Sequence, residues 1–150
     1  MECRTALLES QGDWGRAMEI LKQGGLDRAE AKTGRQARQG IVGAYIHPGS
    51  KLGTLIEVNC ETDFVARTEE FKTLVHDLAL QVAATDPRYI SAEEANPQTA
   101  SVEDCLLLQP YIKDPNLTVA ERIKHTIAKV GENIIVRRFA RFELGRDSKV

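Results

Sequence analysis

KLGTLIEVNCETDFVARTEEFKTLVHDLALQVAA, residues 51–84, decides the fold. Its first nine residues alternate: Leu52, Ile56 and Val58 share one face of an extended chain, Lys51, Glu57 and Asn59 the other. That is a strand with one wet face, as in an antiparallel sheet. Then the period changes. Phe71, Leu74, Val75, Leu78 and Val82 recur at helical spacing. Thr68 is a cap for this helix, because its hydroxyl can accept from free first-turn amides. Glu69 and Glu70 follow where the helix dipole favours acids, and Pro87 closes the element.

Working outward, IVGAYIH (residues 41–47) and the turn Pro48-Gly49-Ser50 complete a hairpin with residues 51–59. Downstream, SAEEANPQTAS (residues 91–101) is loop-like. A short apolar stretch, CLLLQPYI, follows and is interrupted by Pro110. Thr118-Val119-Ala120-Glu121 is a capping box. It opens a helix with Ile123, Ile127 and Val130 on one face and a stop at Gly131. Residues 133–144 read as a third strand. Ile134, Val136, Ala140, Phe142 and Leu144 alternate onto one face with Arg138 as an odd member, and Arg137, Phe139 and Arg141 onto the other. These elements predict an α+β fold: a small three-stranded antiparallel sheet with two helices covering one face.

Upstream, residues 1–25 read as two short helices. Asp13 caps the second, Trp14, Ala17, Met18 and Leu21 form its apolar stripe, and Gly24-Gly25 is the expected stop. Two helices this short stabilise each other poorly, so they pack on something else or lack a neighbour. Residues 26–39 read as an exposed linker helix carrying Arg28, Lys32, Arg35 and Arg38, weakened at Gly34. The expected organisation is a partial helical module (1–25), the linker helix (26–39), the α+β core (40–145) and a tail (146–150).

Composition narrows the function classes. Hydrophobic residues are 42% of the 150, charged residues 28% and aromatics 5%, so a folded chain with an aliphatic core is expected. Twenty Lys and Arg against 22 Asp and Glu leave a formal charge of -2. Net charge therefore gives no reason for strong nucleic-acid binding. The Arg28–Arg38 stripe lacks interleaved aromatics and reads better as a solvated face than as an RNA site. No apolar run is long enough to cross a membrane, and MECRTALLES lacks the pattern of a signal peptide. Cys3, Cys60 and Cys105 are far apart and in no CxxC pair, which disfavours a disulfide scaffold or a zinc site and favours a reducing compartment. His47, His76 and His125 share no ligand spacing, so no metal or cofactor is expected. A Cys60–His47 nucleophile pair is imaginable across the hairpin, but nothing marks Cys60 as an activated thiol. Arg137, Arg138 and Arg141 suggest ion pairs or an interface.

The informative segment is CETDFVAR. A strand ends, and an acid, Asp63, is followed at once by a large apolar side chain, Phe64. The plain reading has Asp63 capping a turn and Phe64 tucked under the next helix. The alternative is an exposed Asp-Phe probe for a partner's pocket, with the aromatic as anchor.

LIEVNCETDFVAR (residues 55–67) and IAKVGENIIVRRFARFELG (residues 127–145) resemble the bacterial and organellar elongation factor Ts family. MECRTAL, GIVGAYIH, RYISAEE and LLLQPYIKD extend the likeness over most of the chain in the family's order. The resemblance implies a guanine-nucleotide exchange factor for the translation GTPase elongation factor Tu, bound in its GDP form. It implies partner-binding residues Thr62, Asp63, Phe64 and Val65, pushed near the partner's magnesium and nucleotide site, together with Met1. It also implies an N-terminal module of the ubiquitin-associated type, incomplete here for want of a first helix, and a missing helical stretch between SAEE and LLLQPYIKD. Short members of the family pair as homodimers through the sheet. No bond is made or broken, so no enzyme is expected. The implied compartment is the cytoplasm, or else a plastid or mitochondrion. A binding module on elongation factor Tu or the ribosome that does not drive exchange is the alternative.

Overall fold

A computed structural model describes residues 1–147. The helices are α1 (Glu2–Glu9), α2 (Trp14–Glu30), a single turn α3 (Asp63–Ala66), α4 (Glu69–Thr85) and α5 (Val119–Val130). The strands are β1 (Gln39–Ile46), β2 (Leu52–Cys60), β3 (Pro110–Tyr111), β4 (Asp114–Thr118) and β5 (Ile135–Glu143). β1, β2 and β5 form a three-stranded antiparallel sheet in that order, and β3 pairs with β4 in a separate small ribbon. This is the α+β fold expected. The last three residues of the predicted tail lie outside the described residues.

α4 is the helix that covers the sheet. Its stripe, Phe71, Leu74, Val75, Leu78 and Val82, is buried against Ile56, Val58 and Val136. Each such side chain removed from water contributes roughly 1.5–3 kcal/mol. The close approach depends on Gly43 of β1, where a Cβ would collide with Val75 Cγ1. Thr54 from β2 also donates to the Ala79 carbonyl at 3.0 Å, so the one buried hydroxyl on this face is satisfied. α5 packs chiefly on α2 and α4, and its Val119, Ile123 and Ile127 complete the core. The expected caps are present: Asp13 on α2, Thr68 on α4, the Thr118–Glu121 box on α5, and left-handed Gly131 at its end.

Two expectations need correction. The first concerns β5. Glu57 pairs with Arg138 but Val58 with Val136, so Arg137 is an extra residue bulged out of the ladder. A one-residue bulge flips every side chain beyond it to the opposite face. Ile134 and Val136 are buried, yet past the bulge Phe139, Arg141 and Glu143 face the helix side, while Ala140, Phe142 and Leu144 are exposed. The bulged Arg137 reaches back to Asn59 Oδ1 at 2.9 Å and the Ala37 carbonyl at 3.2 Å. Arg141 donates to the Ala83 carbonyl at the end of α4. The arginines on both faces are thus occupied within the chain.

The second concerns Gly24-Gly25, which does not stop the helix. Neither glycine adopts the left-handed backbone a stop requires, and α2 runs on to Glu30. Gly25 is buried, and a Cβ there would sit 3.6 Å from Ala128 Cβ on α5. With Ala17 and Ala29 it forms the small-residue face on which α2 lies against its neighbours. The separate linker helix over 26–39 is therefore absent. Residues 26–30 finish α2, turns follow to Gly34 at φ 93°, and the chain is then extended into β1.

Among the described residues no element covers the other face of the sheet. Val42, Ile46, Leu55, Phe142 and Leu144 are exposed on it. Ala44, Leu55 and Ala140 lie in one register row, Ile46, Gly53 and Phe142 in the next.

Candidate functional site: a clamped turn that presents Phe64

β2 ends at Cys60, and α3 begins after two intervening residues, at Asp63. Thr62 is extended, at φ -126° and ψ 152°, and its hydroxyl accepts from the Val65 amide at 3.4 Å, capping the turn. Four residues cannot hold a helix by themselves. Val65 and Ala66 are buried and tie the turn to the core. At its far end Thr68 donates to the Val65 carbonyl at 2.7 Å and accepts from Phe71 to start α4. The rigid helix that covers the sheet thus fixes the turn from one side.

The start of the turn is fixed by a residue seventy positions away. Glu132 Oε1 accepts from the Thr62 amide at 2.9 Å, and Oε2 accepts from the Thr62 hydroxyl at 2.7 Å. Gly131, left-handed at φ 78°, ends α5 and turns the chain so that Glu132 arrives there. Its neighbour Asn133 donates to the Arg35 carbonyl at 2.9 Å, pinning the segment that leads into β1. The sequence marks Gly131 as a stop. Nothing in the sequence marks Glu132, because a partner seventy residues distant leaves no periodic signal.

The result is a turn fastened everywhere but at its tip. Asp63 is exposed and paired with Arg67 at 2.6 Å. Phe64 is 83% exposed and points away from the core. The plain reading of CETDFVAR is thereby overturned: Thr62 is the cap, and Phe64 is not tucked under α4. The exposed Phe64 is the one the alternative reading describes. Of the other predicted contact residues, Thr62 and Asp63 flank Phe64, whereas Val65 points inward as a support. Met1 is exposed at the N-cap of α1, an element that packs on α2.

The one thiol beside this turn is not activated. Burial pushes the Cys60 thiol up to about 11, with the Glu132 and Asp63 carboxylates adding to the effect. It donates to the Thr62 carbonyl at 3.1 Å. A neutral buried thiol is a poor nucleophile. His47 lies beyond the opposite end of the hairpin, hydrogen-bonded to the Tyr45 hydroxyl. Among the described residues no three His, Cys, Asp or Glu side chains gather as a metal site, and no helix is long and apolar enough to cross a membrane. A buried polar cluster elsewhere is structural. Tyr111 donates to Asp77 Oδ2 at 2.7 Å and Lys113 pairs with Oδ1, fastening β3 and its turn onto α4. Burial and the Asp77 carboxylate push the Tyr111 phenol up to about 12.

Known proteins carry the same arrangement of sequence. The family described as Elongation factor TS matches residues 25–104 and 61–150. Elongation factor Ts of Thermoanaerobacter sp. (strain X514) is 44% identical over 177 residues, covering 97% of this chain and 87% of that protein. Elongation factor Ts of Carboxydothermus hydrogenoformans is also 44% identical, covering 97% and 82%. Elongation factor Ts of Rippkaea orientalis is 45% identical, covering 97% and 72%. The aligned span of 177 exceeds the 150 residues here, so these relatives carry internal residues that this chain does without. On these matches the chain belongs to the elongation factor Ts family of translation elongation factors.

Proposed function

We propose that this protein binds the GDP form of elongation factor Tu and speeds nucleotide release by inserting the Asp63-Phe64 tip near the partner's magnesium and nucleotide site. The observation that carries the proposal is Phe64, a benzyl group 83% in water on a turn held at both ends. A soluble fold gains nothing from fixing a large apolar group in water, whereas an anchor aimed at a partner's pocket needs both exposure and rigidity. The mechanism is differential binding. The tip fits a GTPase conformation with disturbed phosphate and Mg²⁺ contacts, so factor and GDP weaken each other by the same factor. A coupling of ~3 kcal/mol is more than a hundredfold. No covalent bond changes, so the protein is an exchange catalyst and not an enzyme in the bond-making sense. The bacterial relatives favour a cytoplasmic site of action.

The open face of the sheet supports a second element of the proposal. A second copy of this chain, stacked on Leu55, Phe142 and Ile46, would remove those side chains from water. Sedimentation equilibrium with Phe142→Glu tests it, the expected result being a dimer that the substitution dissociates.

The decisive experiment is release of fluorescent GDP from elongation factor Tu, with and without the chain. Acceleration that is largely lost in Phe64→Ala is expected. Binding without acceleration would replace the proposal with that of a docking module that does not drive exchange.

A further inference from the structure

We propose that Glu132 is a positioning residue for exchange, acting through Thr62 to hold the Asp63-Phe64 tip in its binding-ready form; this rests on the exchange role proposed above. Thr62 sits between strand and tip and offers two donors, its amide and its hydroxyl. Glu132 takes both, one on each carboxylate oxygen. Two charge-assisted hydrogen bonds to one residue fix its position and its rotamer. That rotamer points the hydroxyl oxygen's remaining acceptor capacity at the Val65 amide and so closes the turn. The chain order is carboxylate, threonine, turn, benzyl tip. Glu132 touches neither Asp63 nor Phe64 by hydrogen bond or ion pair, so its effect on a partner is transmitted by geometry.

Beyond the buried Val65 and Ala66 and the Ala66 amide's 3.3 Å bond to the Thr62 carbonyl, the entry to the turn has weak ties. Cys60 gives one weak thiol bond to the Thr62 carbonyl, and Glu61 meets Arg35 only at 3.8 Å. α3 is a single turn. Without Glu132 the entry can sample other conformations, and a partner then meets a tip that is competent for part of the time. Apparent affinity falls by that fraction, while the rate in the assembled complex is unchanged. The signature is therefore a rise in half-saturating concentration at an unchanged plateau.

The test pairs two readouts on Glu132→Ala and Glu132→Gln. In the isolated chain, amide hydrogen exchange at Thr62 should accelerate about tenfold or more in Glu132→Ala, while α4 amides keep their protection. Gln keeps one acceptor oxygen and should restore part of it. In GDP release, Glu132→Ala should raise the half-saturating factor concentration about tenfold, with the plateau within about twofold. Thr62→Val, which removes the hydroxyl, should leave Glu132→Ala with a smaller further effect. A Thr62 amide that keeps its protection in Glu132→Ala overturns the inference, as does a plateau that falls with the half-saturating concentration unmoved. If the wild-type chain itself leaves GDP release unaltered, the exchange proposal fails alone, and the Thr62 amide still decides whether Glu132 holds the turn.

Discussion

The Phe64 turn and the N-terminal helix pair both leave apolar groups in water, as the open sheet face does, but they do so on different foundations. At the turn, Phe64 stands on a support fixed by Thr62, Val65, Ala66 and Thr68, backed by a core in which Phe71 and Leu74 are wholly buried. In the N-terminal helix pair, Leu8, Trp14 and Met18 are exposed, and α1 buries only Ala6. One region holds a single aromatic in place by means of everything around it. The other spreads apolar surface over a pair that has almost no core of its own. Exposure on a rigid support suits a tool for a partner. Exposure on a weak support leaves a surface whose position is less sharply fixed.

The sharpest way to break this contrast is to remove the support. Phe71→Ala empties the centre of the core and should cost about 3–5 kcal/mol, a large share of the 5–15 kcal/mol typical of a whole domain. Urea unfolding followed by circular dichroism measures it. A loss under about 1 kcal/mol would mean that α4 does not carry the turn as described.

Phe64→Ala is the complement. The side chain buries little in the free chain, so unfolding should move by no more than ~0.5 kcal/mol. GDP release should slow about thirtyfold at sub-saturating factor, corresponding to a hot-spot loss of ~2 kcal/mol. Two phenylalanines seven positions apart would then separate, Phe71 through the stability of the support and Phe64 through activity at unchanged stability. A Phe64→Ala protein that unfolds earlier would show that the tip packs on its own chain.

The N-terminal pair should differ in local stability. Native-state hydrogen exchange is expected to show α1 amides opening at a cost of under about 2 kcal/mol, while α4 amides open only with global unfolding. Equal protection in α1 and α4 would show that the pair is stabilised by packing on the core and does not await a neighbour.

Much of this was legible in the sequence because it is local. The capping residues Thr68 and Thr118, the helical stripe from Phe71 to Val82 and the alternation of Leu52, Ile56 and Val58 each report on neighbours within a few positions. What escaped depends on pairing across the chain. The bulge at Arg137 exists only relative to β2, and strict alternation placed Phe142 with Val136. Gly24-Gly25 has the composition of a stop, but its role was set by α5, against which Gly25 packs. Glu132 likewise acquires its meaning only when Thr62 arrives beside it. The Asp63-Phe64 tip was ambiguous from composition, since the same residues fit a tucked turn.

The smallest expected effect lies at the junction of the two regions, where His125 of α5 shares a shallow pocket with Glu19, Lys22 and Leu26 of α2. Burial holds its imidazole below the ordinary 6.5, and Lys22 and Arg122 add to the shift while Glu121 opposes it. The folded chain therefore prefers the neutral ring more than the unfolded chain does. The stabilisation is complete above pH 6.5 and is lost as the pH falls through that value towards the folded-state pKa. Carboxylates titrate at lower pH and blur a single curve, so the useful quantity is a difference between proteins. Urea midpoints for wild type and His125→Gln, measured at about pH 7.5 and about pH 5.5, should show wild type losing more on acidification. If the α2 junction opens separately from the core, that extra loss should appear in α2 amides before it appears in α4 amides. Equal losses in the two proteins would mean that the imidazole contributes nothing to the pH dependence of the junction.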